Sequence, residues 1–193
     1  MLFNCFLIGL LASLVGCTLI SGPRVAEDAD LYYKAVGRVA ARVGDKKPYA
    51  TRFRWTRSSV KDDIYIFTAL GNGLAQISMK DGKVLIVTSK GDAYRGDTPE
   101  KVITEILGWS LPVKGLQFWL IGRSDPRSPV IDEKYDDFNR IVGFSQQGWS
   151  VHYAAFSEKQ SLPKKIVLNY DELKLRIIID RWVISDLNYI LPK

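Results

Sequence analysis

The sequence predicts a mainly β protein with some α-helix, built on a strongly curved antiparallel sheet or partial barrel that the helices cover. Three observations carry this. Apolar residues recur at every second position over much of the chain, as in Tyr49, Thr51, Phe53 and Trp55 against Ala50, Arg52, Arg54 and Thr56, which is the period of a half-buried strand. Asp81-Gly82 separates two such runs, and Asp-Gly between alternating segments is a strong hairpin signal. Helical spacing is confined mainly to a short middle stretch, and many consecutive strands with one apolar face close most readily into a curved sheet covered by such helices.

The chain opens with an apolar segment of another kind. Phe6 to Val15 has the length of a secretory h-region and falls short of the ~20 residues that span a bilayer. It ends in Leu14-Val15-Gly16-Cys17, a branched aliphatic, two further residues and a cysteine in the pattern of a bacterial lipobox. Residues 1–16 are read as a lipoprotein signal peptide, with cleavage before Cys17, diacylglycerol on its thiol and an N-acyl chain on its freed amine. Residues 1–16 hold no Lys or Arg, so the positive n-region reduces to the α-amino group. Two or more acyl chains anchor a protein stably where one does not. Residues 17–30 then form the lipidated cysteine and a polar tether, with Asp28 capping a brief helical turn. Extended, residues 18–30 reach roughly 40 Å from the membrane at ~3.4 Å per residue. Residues 31–193 make up one domain.

Within that domain strands are expected at 35–43, 49–56, 64–69, 74–79, 84–88, 139–144, 149–153, 165–170 and 173–180. Leu173, Leu175, Ile177 and Ile179 alternate with Lys174, Arg176 and Asp180, and Gln147-Gly148 marks a second, weaker turn. Thr98 before Pro99-Glu100 is a helix N-cap with proline at its first position. Val102, Ile103, Ile106 and Leu107 then share one face as far as Gly108. A second short helix is expected from Val113 to Ile121. Arg123 to Asp136, with Pro126, Pro129 and several charges, reads as a surface loop between an N-terminal and a C-terminal block of strands.

Composition narrows the chemistry. Cys5 leaves with the signal and Cys17 is consumed by lipid, so no disulfide is available, and a single histidine, His152, leaves no cluster for a transition metal. The net charge of +6 is spread along the chain, whereas nucleic-acid binding wants a concentrated basic stripe with stacking aromatics. No metal, no nucleic acid and no cofactor beyond the covalent lipid on Cys17 are expected. A barrel of about eight strands or more has room for a small ligand. Whether the five Trp, nine Tyr and eight Phe line such a space or fill a core is open from composition alone.

Other motifs stay structural. Gly71-Asn72-Gly73 precedes no helix, so it is no phosphate loop. His152 alternates onto the face opposite Trp149, Val151 and Tyr153 and is expected at the surface. Asp62-Asp63 and Asp136-Asp137 are neighbours that point to opposite strand faces. Arg52, Arg54 and Arg57 form a solvated outer face, or meet an acidic carrier if they lie near a cavity mouth.

Residues 107–123, LGWSLPVKGLQFWLIGR, resemble the outer-membrane lipoprotein receptor family LolB. The likeness returns at Gly148 to Tyr153, at Leu162 to Leu168 and at Leu173 to Trp182, so it covers nearly the whole mature chain. It implies an open, incomplete antiparallel β-barrel with helices as a lid over an apolar cavity, with the aromatics contributing to that cavity. It also implies a function: accepting lipoproteins from the periplasmic carrier LolA and inserting them into the outer membrane. Thr18 after the lipidated cysteine fits outward sorting by the family's rule. Ala69-Leu70-Gly71 resembles the family's Pro-Leu-Gly loop with its protruding leucine, departing from it at Ala69.

On this reading Phe53, Trp55, Ile77, Trp109, Phe118, Trp119, Leu175 and Ile177 are candidate cavity-lining residues, and Leu70 is the membrane-insertion residue. The partners are LolA, client lipoproteins through their acyl chains, and outer-membrane lipid. The protein is expected to be a monomer on the periplasmic face of the outer membrane, and not an enzyme. Two alternatives remain: a structural envelope lipoprotein, which predicts a filled core, and a lipid-anchored periplasmic hydrolase, for which no nucleophile or acid pair is legible.

Overall fold

A computed structural model describes residues 31–107, 111–158 and 161–185. The signal and tether segments, with Cys17 and Asp28, lie outside these residues, as do Gly108 and Trp109. The described chain runs β1 (Leu31–Val43), β2 (Tyr49–Ser58), β3 (Asp62–Phe67), β4 (Gly73–Lys80), β5 (Lys83–Thr88), β6 (Ala93–Gly96), α1 (Pro99–Leu107), α2 (Val113–Trp119), β7 (Val130–Tyr135), β8 (Ile141–Gln146), β9 (Trp149–Phe156), β10 (Pro163–Tyr170) and β11 (Leu173–Ile184).

All eleven strands belong to one antiparallel sheet of order β6-β5-β4-β3-β2-β1-β11-β10-β9-β8-β7. The first and last strands of the domain therefore pair in the middle, and a meander runs outward from each. The ends of the two meanders, β6 and β7, do not pair with each other, so the barrel is open. Both helices lie in the connection between those edges and turn apolar side chains toward the sheet's inner face. Asp81 and Gly82 both take positive φ, 50° and 78°, and so do Gln147 and Gly148, 54° and 79°. This is the left-handed backbone of type I′ hairpin turns, whose twist matches the flanking strands.

β1 begins at Leu31 and β11 runs on to Ile184, each four residues beyond the expected span, and three further elements depart from the sequence expectation in kind or position. β6 is unanticipated because its four residues carry no burial alternation. β7 lies inside the stretch read as a loop. Every residue of β7 after Val130 is exposed, the pairing with β8 is irregular and Asp132 has a φ of 55°. An edge strand that is bulged and charged blunts self-association, and the same features erase its sequence signature. The expected strand at 139–144 begins later, at Ile141. Asn139 is in a turn with positive φ, where the Asp136 carboxylate accepts the backbone N–H groups of Phe138 and Arg140 at 3.0 and 2.9 Å.

The second helix ends at Trp119 and closes through Gly122. Its φ of 82° lets Gly122 N–H donate to the Trp119 carbonyl and Arg123 N–H to the Phe118 carbonyl, a left-handed glycine cap. Gly37 has a different reason. It sits at the irregularity between β1 and β11, and an added Cβ would lie 2.2 Å from the Ile178 carbonyl oxygen. Gly37→Ala is expected to push apart the central strand pair at a cost of about 1–3 kcal/mol, read as a lower urea midpoint with an unchanged slope. An unchanged midpoint would show that β11 yields without strain.

The interior divides in two. On the C-terminal side Tyr33, Trp119, Phe144, Trp149, Val151, Tyr153, Ile166 and Leu168 are buried together. Aromatic rings fill that side: Trp119 lies 6.2 Å from Phe144 and 6.3 Å from Trp149, centroid to centroid. The N-terminal side is hollow.

Candidate functional site

The hollow is a cavity of about 340 Å³ between the helices and strands β1 to β5 and β11. Alternation builds its walls. Val39 and Ala41 of β1, Phe53 and Trp55 of β2, Ile64 and Ile66 of β3, Ala75 and Ile77 of β4, and Leu175 and Ile177 of β11 all face inward. Ile103 and Ile106 of α1, with Leu116 of α2 and the following Leu120, close it from the other side. Most of these side chains are aliphatic, and the space between them is not filled by stacked rings as it is in the other half. Apolar cavities exclude water and accept apolar guests.

Polar atoms are held away from the interior. The Trp55 indole N–H donates to Asp62 Oδ1 at 2.7 Å, and Asp62 also accepts from the Arg57 guanidinium. Burial pushes the Asp62 carboxyl above the usual carboxylate range, against the opposing pull of Arg57 and of the Trp55 N–H. Asp63 points the other way, where it accepts the Ser78 hydroxyl at 2.7 Å and pairs with Lys61. Arg57 is thus half-buried in an ion pair, unlike Arg52 and Arg54, which are exposed on the outer face as expected. His152 is exposed too.

The cavity opens where β2 begins, since its lining residue Tyr49 is 64% exposed. The β3–β4 turn stands at this same end of the neighbouring strands. Leu70 at its tip is 91% exposed. The turn is closed by hydrogen bonds from Thr68 N–H to the Asn72 carbonyl (2.8 Å), from Gly71 N–H to the Thr68 carbonyl (3.0 Å) and from Asn72 N–H to the Thr68 hydroxyl (3.1 Å). Those bonds, with Gly71 at a φ of 94°, hold the tip where a proline is absent.

Of the sequence-derived lining residues, Phe53, Trp55, Ile77, Leu175 and Ile177 meet in the cavity. Phe118 and Trp119 do not. Leu116 and Leu120 turn to the cavity, while Trp119, at the flank of the same helix side, enters the filled half and is 0% exposed. There its indole N–H donates to Gln146 Oε1 at 2.8 Å, and its carbonyl accepts the Tyr153 hydroxyl at 2.8 Å. Phe118 is half-buried, with the Arg127 guanidinium 5.3 Å above its ring. The aliphatic members missed at first, such as Ile64, Ile66 and Val39, were legible only as inward positions of their strands. Which part of the inner face is hollow is not written in the period.

An open half-barrel with helices over an aliphatic cavity defines a class of protein with room for an apolar guest. A solved LolA-superfamily protein from Nitrosomonas europaea shares the fold, with a TM-score of 0.52 at 10% identity over 85% of this chain and 90% of that one. The family described as outer membrane lipoprotein LolB matches residues 32–182, and the chain belongs to that family of outer-membrane lipoproteins. Its relatives include the outer-membrane lipoprotein LolB of Nitrosomonas europaea, 30% identical over 92% of this chain and 91% of that protein. Another is that of Nitrosococcus oceani, 33% identical over 71% of this chain and 69% of that protein.

Proposed function

We propose that this protein is a lipid-anchored receptor that takes the acyl chains of lipoproteins from the periplasmic carrier LolA and releases them into the outer membrane. The observation that carries this is the aliphatic cavity whose exposed rim at Tyr49 shares one end of the sheet with Leu70. No bond is made or broken. Each CH₂ of an acyl chain is worth about 0.8 kcal/mol when removed from water, in either protein's cavity alike, so direction between the two rests on a modest affinity difference. Release into the lipid phase then exposes no acyl surface to water if the mouth abuts the bilayer. A scaffolding lipoprotein has no use for a hollow core, and the cavity favours transfer over that role.

The test is transfer of a fluorescent lipoprotein from loaded LolA to this protein and on to liposomes. Cys17→Ala is expected to give a soluble protein that still accepts the lipoprotein, because the cavity is built beyond the tether. A folded but non-accepting Cys17→Ala protein would show that anchor and site are not separable. Ala75→Trp places an indole in the cavity and is expected to lower acceptance at least tenfold, with circular dichroism unchanged. Full acceptance by a folded Ala75→Trp protein would move the binding site elsewhere and overturn the reading.

A further inference from the structure

The outer face of the sheet, opposite the cavity, is arginine-rich in a way that the fold itself does not favour. The register sets Arg38 of β1 directly across from Arg52 of β2, and Arg42 across from Lys174 of β11. Val36 lies between Arg54 and Arg181, and Ala40 is paired with Arg176. Like charges directly opposite on one sheet face are destabilising, yet two such pairs flank β1 here, one on each side and four residues apart along the strand. Among the described residues Arg38 alone of this set makes an ion pair, a two-bond contact with Asp180. Arg42, Arg52, Arg54, Arg176 and Arg181 are exposed, and Arg54 is braced over the Tyr65 ring at 4.5 Å. The block spans rows 36 to 42 of β1, roughly 20 Å at ~3.3 Å per residue.

We infer that this convex face docks on a bilayer surface carrying anionic phosphate headgroups. Guanidinium groups match phosphate oxygens with paired hydrogen bonds, and the mutual repulsion of the facing cations is relieved by an anion layer. Geometry favours a membrane over an acidic protein. The chain leaves the described domain at Leu31, the start of the strand that forms the middle of this face. With Cys17 lipidated, residues 18–30 keep the bilayer within roughly 40 Å of that point, so the lipid surface is always at hand, and the clustered cations feel its potential once they approach to about 8 Å, the Debye length at physiological salt. Docking by the convex side also leaves the cavity mouth uncovered for a carrier. The inference rests on the anchored reading only for the source of the bilayer.

Vesicle sedimentation tests it without any lipoprotein or carrier, using the mature chain with Cys17→Ala. Binding to vesicles of phosphatidylcholine with about one third phosphatidylglycerol is expected, falling steeply between 50 and 500 mM salt as charge neutralisation requires, with at least tenfold weaker binding to pure phosphatidylcholine. R52E/R176E is expected to lower the anionic-vesicle affinity at least tenfold, and R52Q/R176Q to lower it less. The exposed pair K83E/K101E, which makes the same change in net charge away from this face, is expected to lower it less than threefold. Equal losses in R52E/R176E and K83E/K101E would reduce the effect to net charge and overturn the proposal. So would equal binding to neutral vesicles, or absence of vesicle binding together with loss of LolA binding in R52E/R176E, which would make the face a protein-docking surface. Lipoprotein acceptance measured on the same variants reports separately on the cavity.

Discussion

Replacing Trp119 with alanine is expected to destabilise the fold by about 3–5 kcal/mol, the range for deleting a buried aromatic side chain, while leaving acceptance per folded molecule unchanged. Trp119 is fully buried between Phe144 and Trp149, and its ring lies so close over Gly115 that a Cβ there would come within 2.8 Å of it. Its N–H bond to Gln146 belongs to a larger lock. Gln146 Oε1 also accepts the Asp125 N–H, and its amide donates to the Asp125 and Ser128 carbonyls, each at 2.8 Å. Together with the hydroxyl of Tyr33 on the Gln117 carbonyl, this fastens α2 to the filled half of the barrel. Against a typical total of 5–15 kcal/mol, the loss is large. Urea unfolding and lipoprotein acceptance normalised to folded protein check it. Impaired acceptance with wild-type stability would return Trp119 to the ligand site.

Leu70→Glu is expected to leave acceptance from LolA unchanged and to slow delivery into liposomes at least tenfold, so that loaded protein accumulates. A leucine buried in the membrane interface gains roughly 1.5–3 kcal/mol. A glutamate in its place faces the desolvation of a charge instead. The turn is fixed by its own hydrogen bonds and its tip is almost fully exposed, so the substitution alters neither the fold nor the cavity wall. Equal delivery by wild type and Leu70→Glu at matched loading would reduce the leucine to an ordinary surface residue.

Both expectations differ in how much of them the sequence held. Leu70 was visible from the chain alone, because a leucine between Thr68-Ala69 and Gly71-Asn72-Gly73 has no periodic partner that would carry it into a core. Its placement at the cavity end follows once the strand directions are known. Trp119 was misplaced, because a short helix with apolar residues on several sides gives no indication of which side meets empty space. The alternation on β2 and β11 puts Phe53, Trp55, Leu175 and Ile177 on the inner face where the structure has them line the cavity, since a strand's period of two assigns a face without reference to distant residues.

The sequence by itself determined the alternating strands, their two clearest turns, the helical interruption and the inward set of side chains, all of which depend on neighbours within a few residues. Tertiary structure alone decided three things. It paired β1 with β11 and so left the barrel open between β6 and β7. It filled one half with rings and left the other hollow. It also set Arg38 against Arg52 and Arg42 against Lys174, turning dispersed charges into a patch. Each of these joins residues far apart in the chain, and long-range register is fixed by the packing of the whole sheet rather than by any local pattern.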